Sequence, residues 1–157
     1  MNLALILAPV MSLLVLAGGQ SAGESHRLVL VGAGRFAVFA DLSTVERRGD
    51  AVRMRALQIG EEDLVVAGEL YWGGWSWWAF DCAAQTADRL DFASVRDGGV
   101  EGPATADLAP SYPAAPGGDA AELLQIACDP GSGGLAGSAT VSDAVRAGRE
   151  ALADTSS

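Results

Sequence analysis

Trp75-Ser76-Trp77-Trp78-Ala79-Phe80-Asp81-Cys82 is the stretch on which the reading of this chain turns. Its aromatic residues, set after the Gly73-Gly74 pair, mark a strand that follows a turn. Alternation along a strand puts Trp78, Phe80 and Cys82 on one face and Trp75 and Trp77 on the other. One aromatic set builds the core. The other, Trp75 and Trp77 with Trp72 close by, is expected on an open face of the sheet. Neighbouring indoles there form a recognition surface. The competing reading is that a second layer covers them.

Strand signals continue on both sides of this segment. Residues 27–31 are apolar and β-branched, and Gly32-Ala33-Gly34 turns the chain into a strand at 36–40 that ends at Asp41. Asp41-Leu42-Ser43-Thr44 reads as a turn in which the carboxylate accepts backbone N–H groups ahead of it. Gly49-Asp50 is a hairpin signal. After it Val52 and Met54 alternate with Arg53 and Arg55, the pattern of a half-exposed antiparallel strand. Glu61-Glu62-Asp63 reads as a solvated break, residues 64–71 as a further strand and 86–95 as another. Residues 102–118 hold four prolines and are expected to be irregular. Asp119 can cap a helix over 120–128, with Leu123, Leu124 and Ala127 on one side and Asp129-Pro130 ending it. Residues 131–157 read as a flexible Gly/Ala/Ser-rich tail with a short, weakly amphipathic helix near its end. The fold class expected is α+β: about six antiparallel strands, one face packed by a single helix.

Composition narrows the function. The chain has 157 residues, room for one domain, and half of them are apolar. Twenty acidic residues against ten basic ones give a net charge of −10. That excludes a nucleic-acid partner, which needs a basic face, and disfavours anionic lipid. No lysine occurs, so Schiff-base and P-loop lysine chemistry is excluded. Residues 1–22 read as a signal peptide: an apolar run without a charged side chain, too short to span a bilayer, followed by small residues. Ala17 and Gly19 frame one cleavage position, Gln20 and Ala22 a second; an uncleaved anchor is the other reading. Export makes one disulfide the simplest state of Cys82 and Cys128, which stand 46 residues apart. No stable membrane insertion is expected once the signal is removed.

No catalytic or cofactor site emerges from the residues. A Ser–His–Asp triad would have to use His26, the sole histidine, which is expected at a fraying surface just past the signal. Glu61-Glu62-Asp63 lacks the spaced ligands of a calcium loop. Gly32-Ala33-Gly34 does not continue into a dinucleotide fingerprint. Arg48-Gly49-Asp50 spells a tripeptide that integrins read, at a place where a tight turn wants Gly-Asp in any case. The reading that remains is a non-catalytic exported binding module of the envelope or surface. Its partner would be a protein, a glycan or a second copy of the chain. The alternative is a periplasmic small-molecule binder or enzyme inhibitor using an aromatic cleft.

Several pieces occur in a familiar order. They are Val38-Phe39-Ala40-Asp41, Ser43-Thr44-Val45-Glu46-Arg47-Arg48-Gly49, Val52-Arg53-Met54-Arg55, Phe80-Asp81-Cys82 and Leu123-Leu124-Gln125-Ile126-Ala127-Cys128. Together they resemble the bacterial surface-adhesin protein E-like domain family, over residues 26–130. The resemblance implies an antiparallel sheet with a C-terminal helix tied to it by the disulfide, an envelope or surface location, and no known catalytic activity. Adhesion is what the family's name implies. The tryptophan cluster and everything after Cys128 depart from the family pattern.

Overall fold

The structure, a computed structural model, describes residues 25–132 and 137–155. The expected signal peptide and the middle of the linker lie outside the described residues. Six strands make the body of the sheet: β1 Leu28–Ala33, β2 Ala37–Arg48, β3 Ala51–Val66, β4 Glu69–Asp81, β5 Thr86–Arg89 and β6 Asp91–Arg96. Two-residue strands β7 Thr105–Ala106 and β8 Tyr112–Pro113 follow, then helices α1 Asp119–Cys128 and α2 Val141–Thr155. Every strand pairing is antiparallel. The strand order is β1-β2-β3-β4-β5-β8, with β6 on β4 and β7 on β6. β5 and β6 lie end to end along one edge of β4, joined at Leu90, whose N–H donates to the Trp77 carbonyl at 2.8 Å. The α+β expectation holds, and so does its single disulfide.

Period-two alternation sorts the core into two layers. Val38, Ala40, Val52, Met54, Ala56, Trp78 and Phe80 pack under Leu123, Leu124, Ile126 and Ala127 of α1. Ala37, Phe39, Leu57, Ile59, Trp75, Ala93 and Val95 pack under Ala144, Val145 and Leu152 of α2. Each fully buried Leu, Phe or Met contributes roughly 1.5–3 kcal/mol of transfer free energy. The larger side chains are divided between both faces, so neither face is dispensable.

The second layer corrects the expectation of an open sheet face and a flexible tail. α2 is 15 residues long, and Ala144, Val145, Gly148 and Leu152 are buried. Small residues explain both the docking and the misreading. A stripe of Ala and Gly offers little transfer energy by residue count, yet it lets the helix axis come close to the sheet. Thr140 starts the helix: its hydroxyl accepts the Asp143 N–H at 3.1 Å and donates to the Asp143 carboxylate at 2.8 Å, a reciprocal cap. α1 starts differently from expectation. Gly118 is its cap residue, while Asp119 is already helical and its carboxylate accepts Gln58 Nε2 at 3.3 Å.

Two turns are also corrected. Glu61-Glu62-Asp63 does not break a strand but lies within β3, at a register shift between Ile59 and Leu64. The chain reverses later, at Ala67-Gly68, where both residues have positive φ (51° and 85°), as a two-residue hairpin turn requires. Gly73-Gly74, read as a turn, lies inside β4. These glycines are needed for close approach. A Cβ on Gly73 would stand 1.8 Å from the Gln58 carbonyl oxygen, and one on Gly74 2.2 Å from the Phe92 ring.

Candidate binding surface

Trp75, Trp77 and Trp78 follow the face assignment made from alternation, but Trp75 does not show the exposure expected of it. Trp78 and Phe80 stack at 6.0 Å beneath α1. Trp75 is only 2% exposed and belongs to the core under α2, so the exposure expected of it is not found. Trp77 is half-buried, with Arg53 4.7 Å and Arg55 5.9 Å from its ring centroid; Arg55 also lies 4.4 Å from the Trp75 centroid. Arg55 Nη2 donates to Glu101 at 2.6 Å, while its buried Nε has no hydrogen-bond partner. The guanidinium is therefore held largely by the indole faces and one carboxylate, in contacts worth about 0.5–2 kcal/mol each. The alternating arginines of β3 act as a lid on the tryptophans of β4. Trp72, half-buried, packs at the rim of the α2-side core.

His26 is not frayed. Its Nδ1 lies 2.7 Å from Asp41 Oδ2, and its ring centroid lies 5.3 Å from that of Trp75. Asp41 is fully buried and also accepts the Arg27 N–H, the Ser43 N–H and the Ser43 hydroxyl, the last at 2.6 Å. Thr44 Oγ1 donates to the Asp41 carbonyl and accepts the Arg55 N–H. The expected Asp turn is thus a bulge inside β2. Burial pushes the Asp41 carboxyl up, but the bonds from Ser43, His26 and Arg27 together outweigh it and hold the group below its ordinary value. Serine, histidine and aspartate do meet here. In a nucleophilic triad, however, the imidazole stands between hydroxyl and carboxylate. Here the carboxylate stands between the other two, so Ser43 has no base and the cluster is a structural knot that fastens the N-terminal strand.

Cys82 and Cys128 are bonded, with Cα atoms 5.7 Å apart. Arg47 Nη2 donates to the Ala127 and Cys128 carbonyls at 2.9 and 2.7 Å, satisfying the C-terminus of α1 beside the disulfide. The Arg48-Gly49-Asp50 turn lies at this same end. Gly49 has φ 62°, and the Asp50 carbonyl accepts the Cys82 N–H at 2.9 Å. Turn geometry accounts for the glycine there.

The opposite end of β4 forms, with the end of β3, a hairpin that carries several exposed apolar residues. β2 stops pairing with β3 at Ile59, whereas β3 and β4 continue together as a hairpin to Ala67-Gly68. On it Leu64 is 64% exposed, Val65 63%, Val66 49% and Leu70 38%. Because Leu64, Val65 and Val66 are consecutive, both faces of the hairpin are apolar. At its base is a groove of about 210 Å³ whose apolar lining includes Phe36, Leu64, Tyr71, Trp72 and Phe92. Phe92 lies over Gly74 as its floor. Glu62 lines the rim. Reasoning from sequence recognised Leu64–Tyr71 as strand but missed its exposure; the signal was the loss of alternation at Leu64-Val65-Val66.

No family model matches the chain, and no curated protein matches it. A solved structure to which it is similar is that of Haemophilus influenzae protein E. The two share 15% identity at a TM-score of 0.51, over 78% of this chain and 90% of that one. At that identity the likeness concerns the fold, and it agrees with the family resemblance drawn from the sequence.

Proposed function

We propose that this protein is a non-catalytic, exported binding module of the cell envelope or surface, and that it engages its partner through the apolar hairpin of β3 and β4 and the groove at its base. One observation carries the reading. Both sheet faces are covered by helices, yet four large apolar residues are exposed at one end, Leu64 and Val66 on one face of the hairpin and Val65 and Leu70 on the other. Clustered exposed apolar side chains of this kind mark interaction surfaces. The disulfide fits an oxidising compartment. The fold shared with protein E, and the family resemblance, support a surface role by analogy only. Of the tryptophans, Trp72 belongs to this surface through the groove, Trp77 lies behind its arginines, and Trp75 serves as core. A groove of about 210 Å³ takes one or two side chains. It falls below the roughly 300 Å³ at which small-molecule sites begin, so at this groove a macromolecular partner is favoured over a small ligand.

The test is a photo-crosslinking residue placed at Val65 in the full chain, illuminated in whole cells and in envelope extract. The reading expects discrete adducts that disappear when Leu64 and Val66 are both changed to Ser. A crosslinker that reports only water and no adducts would sink it.

A further inference from the structure

The hairpin has a feature that its apolar residues alone do not explain. Of the acidic residues along it, Asp63 is paired with Arg149 at 2.5 Å and Glu69 with Arg96 at 3.1 Å. Glu61 and Glu62 are exposed and have no ion-pair or hydrogen-bond partner among the described residues, and Glu62 stands on the rim of the groove. On a chain of net charge −10, two adjacent unpaired carboxylates beside an apolar pocket make a local negative potential that a basic partner complements. The backbone adds a third element. β3 loses its β2 neighbour after Ile59 but remains extended to Val66, so its outer half has a free edge among the described residues. Arg149 Nε, donating to the Gly60 carbonyl at 3.3 Å, anchors the start of that edge from α2.

We propose that this end of the molecule docks a basic, apolar polypeptide segment in extended form. One aliphatic or aromatic side chain of the segment fills the groove over Phe92, while flanking Lys or Arg residues meet Glu61 and Glu62. The free edge of β3 supplies main-chain pairing, and alternation of the added strand delivers apolar and basic side chains to opposite sides. This rests on the reading of the hairpin as the binding surface and adds the chemistry of the partner. A second copy of the chain is disfavoured by the same carboxylates, which would face their own kind across a two-fold contact. An anionic lipid surface is disfavoured for the same reason.

The test uses the purified full chain and fluorescence anisotropy with a labelled nonapeptide of alternating Leu and Lys. Two controls replace every Lys by Glu, or every Leu by Ser. The proposal expects binding of the Leu/Lys peptide alone, weakening as salt rises. Leu64→Ser with Val66→Ser, both exposed positions, should weaken it by about tenfold or more. Glu61→Gln with Glu62→Gln should weaken it severalfold and flatten the salt dependence, with an unchanged thermal midpoint showing that the fold is intact. Equal binding of the Ser/Lys peptide would overturn the proposal, since it would mean attraction to bulk charge. So would insensitivity to the Leu64/Val66 pair, a concentration-dependent dimer that those changes abolish, or preferential binding to phosphatidylglycerol vesicles. The two readings fail separately. Adducts at Val65 without peptide binding would leave a binding surface with a different partner, whereas the loss of both would remove the surface itself.

Discussion

Gly148→Ala tests whether α2 is part of the folded unit, and the sign of the effect is enough to decide. A Cβ at this position would lie 2.8 Å from the Ala37 Cβ and 3.0 and 3.3 Å from two atoms of the Phe39 ring. Carbon atoms in good contact are about 3.5–4.0 Å apart. Ala37 and Phe39 lie on an inner strand and are 0% and 1% exposed, so neither has free space into which to move. The helix must retreat or the ring must turn, and overpacking of that kind costs about 1–3 kcal/mol. Against this, Ala is favoured over Gly within a helix by about 1 kcal/mol. The balance is a net loss of about 1 kcal/mol, which lowers the thermal midpoint by roughly 3–5 °C in a domain of this size. Tryptophan fluorescence during urea and thermal unfolding measures it. A tail helix that does not dock predicts the reverse: more helix at 222 nm and an unchanged midpoint. That result would refute the two-layer core. Pairing the change with Ala37→Gly sharpens the test, because the contact demands a favourable coupling in the double-mutant cycle.

Further outcomes follow from other parts of the structure. Cys82→Ser should lower stability by roughly 2–5 kcal/mol by freeing the 46-residue loop, measured by urea unfolding against the oxidised parent. Asp41→Asn should cost about 1.5–3 kcal/mol through lost charge-assisted hydrogen bonds. The parent's acid limb carries the same signature. The Asp41 carboxyl is held below its ordinary value of 3.8 when folded, so its contribution is complete above that value and is lost as pH falls through the lower folded one. The midpoint of the Asn variant should therefore depend less on pH below about 4. Iodide and acrylamide should quench Trp72 and Trp77 but leave Trp75 and Trp78 shielded; single Trp→Phe variants assign the signals, and a strongly quenched Trp75 would contradict its place under α2.

Much of this fold is legible in the sequence because the sheet obeys a rule of period two. Val52 and Met54 against Arg53 and Arg55, and Trp78 and Phe80 against Trp75 and Trp77, all fall on the faces that alternation assigns. α1 also follows from local signals, and the disulfide from the presence of just two cysteines in a chain read as exported. What alternation leaves open is which face is covered, since burial depends on elements far along the chain. Trp75 looks like a free aromatic until α2, some 70 residues later, is laid over it. α2 was hard to see because it docks by closeness rather than by bulk. Gly73-Gly74 misled for a related reason: two glycines signal a turn locally, but here the demand comes from Gln58 and Phe92, distant in sequence and adjacent in space. His26 was the third such case, a residue whose meaning lies entirely in its partner Asp41.

The arrangement also separates what holds the molecule from what is free to bind. β4 runs from Glu69 to Asp81, about 40 Å of extended chain, and joins two unlike ends. At the Asp81 end the Cys82–Cys128 bond, the Arg47 clamp on α1 and the tight Arg48-Gly49-Asp50 turn converge on one corner. At the Glu69 end no covalent tie exists among the described residues. The hairpin base is fastened by Arg149 of α2, through the Gly60 carbonyl and Asp63, by the Glu69–Arg96 ion pair and by the pairing of β4 with β6. α1, the helix held by the disulfide, is therefore the scaffold helix, while α2 is the one that touches the candidate binding end. An apolar hairpin on a fixed two-stranded stem keeps its main-chain edge in register for a partner while leaving its side chains in water until one arrives. The covered tryptophans behind it supply rigidity, and the apolar residues exposed along the hairpin lie where β2 no longer reaches.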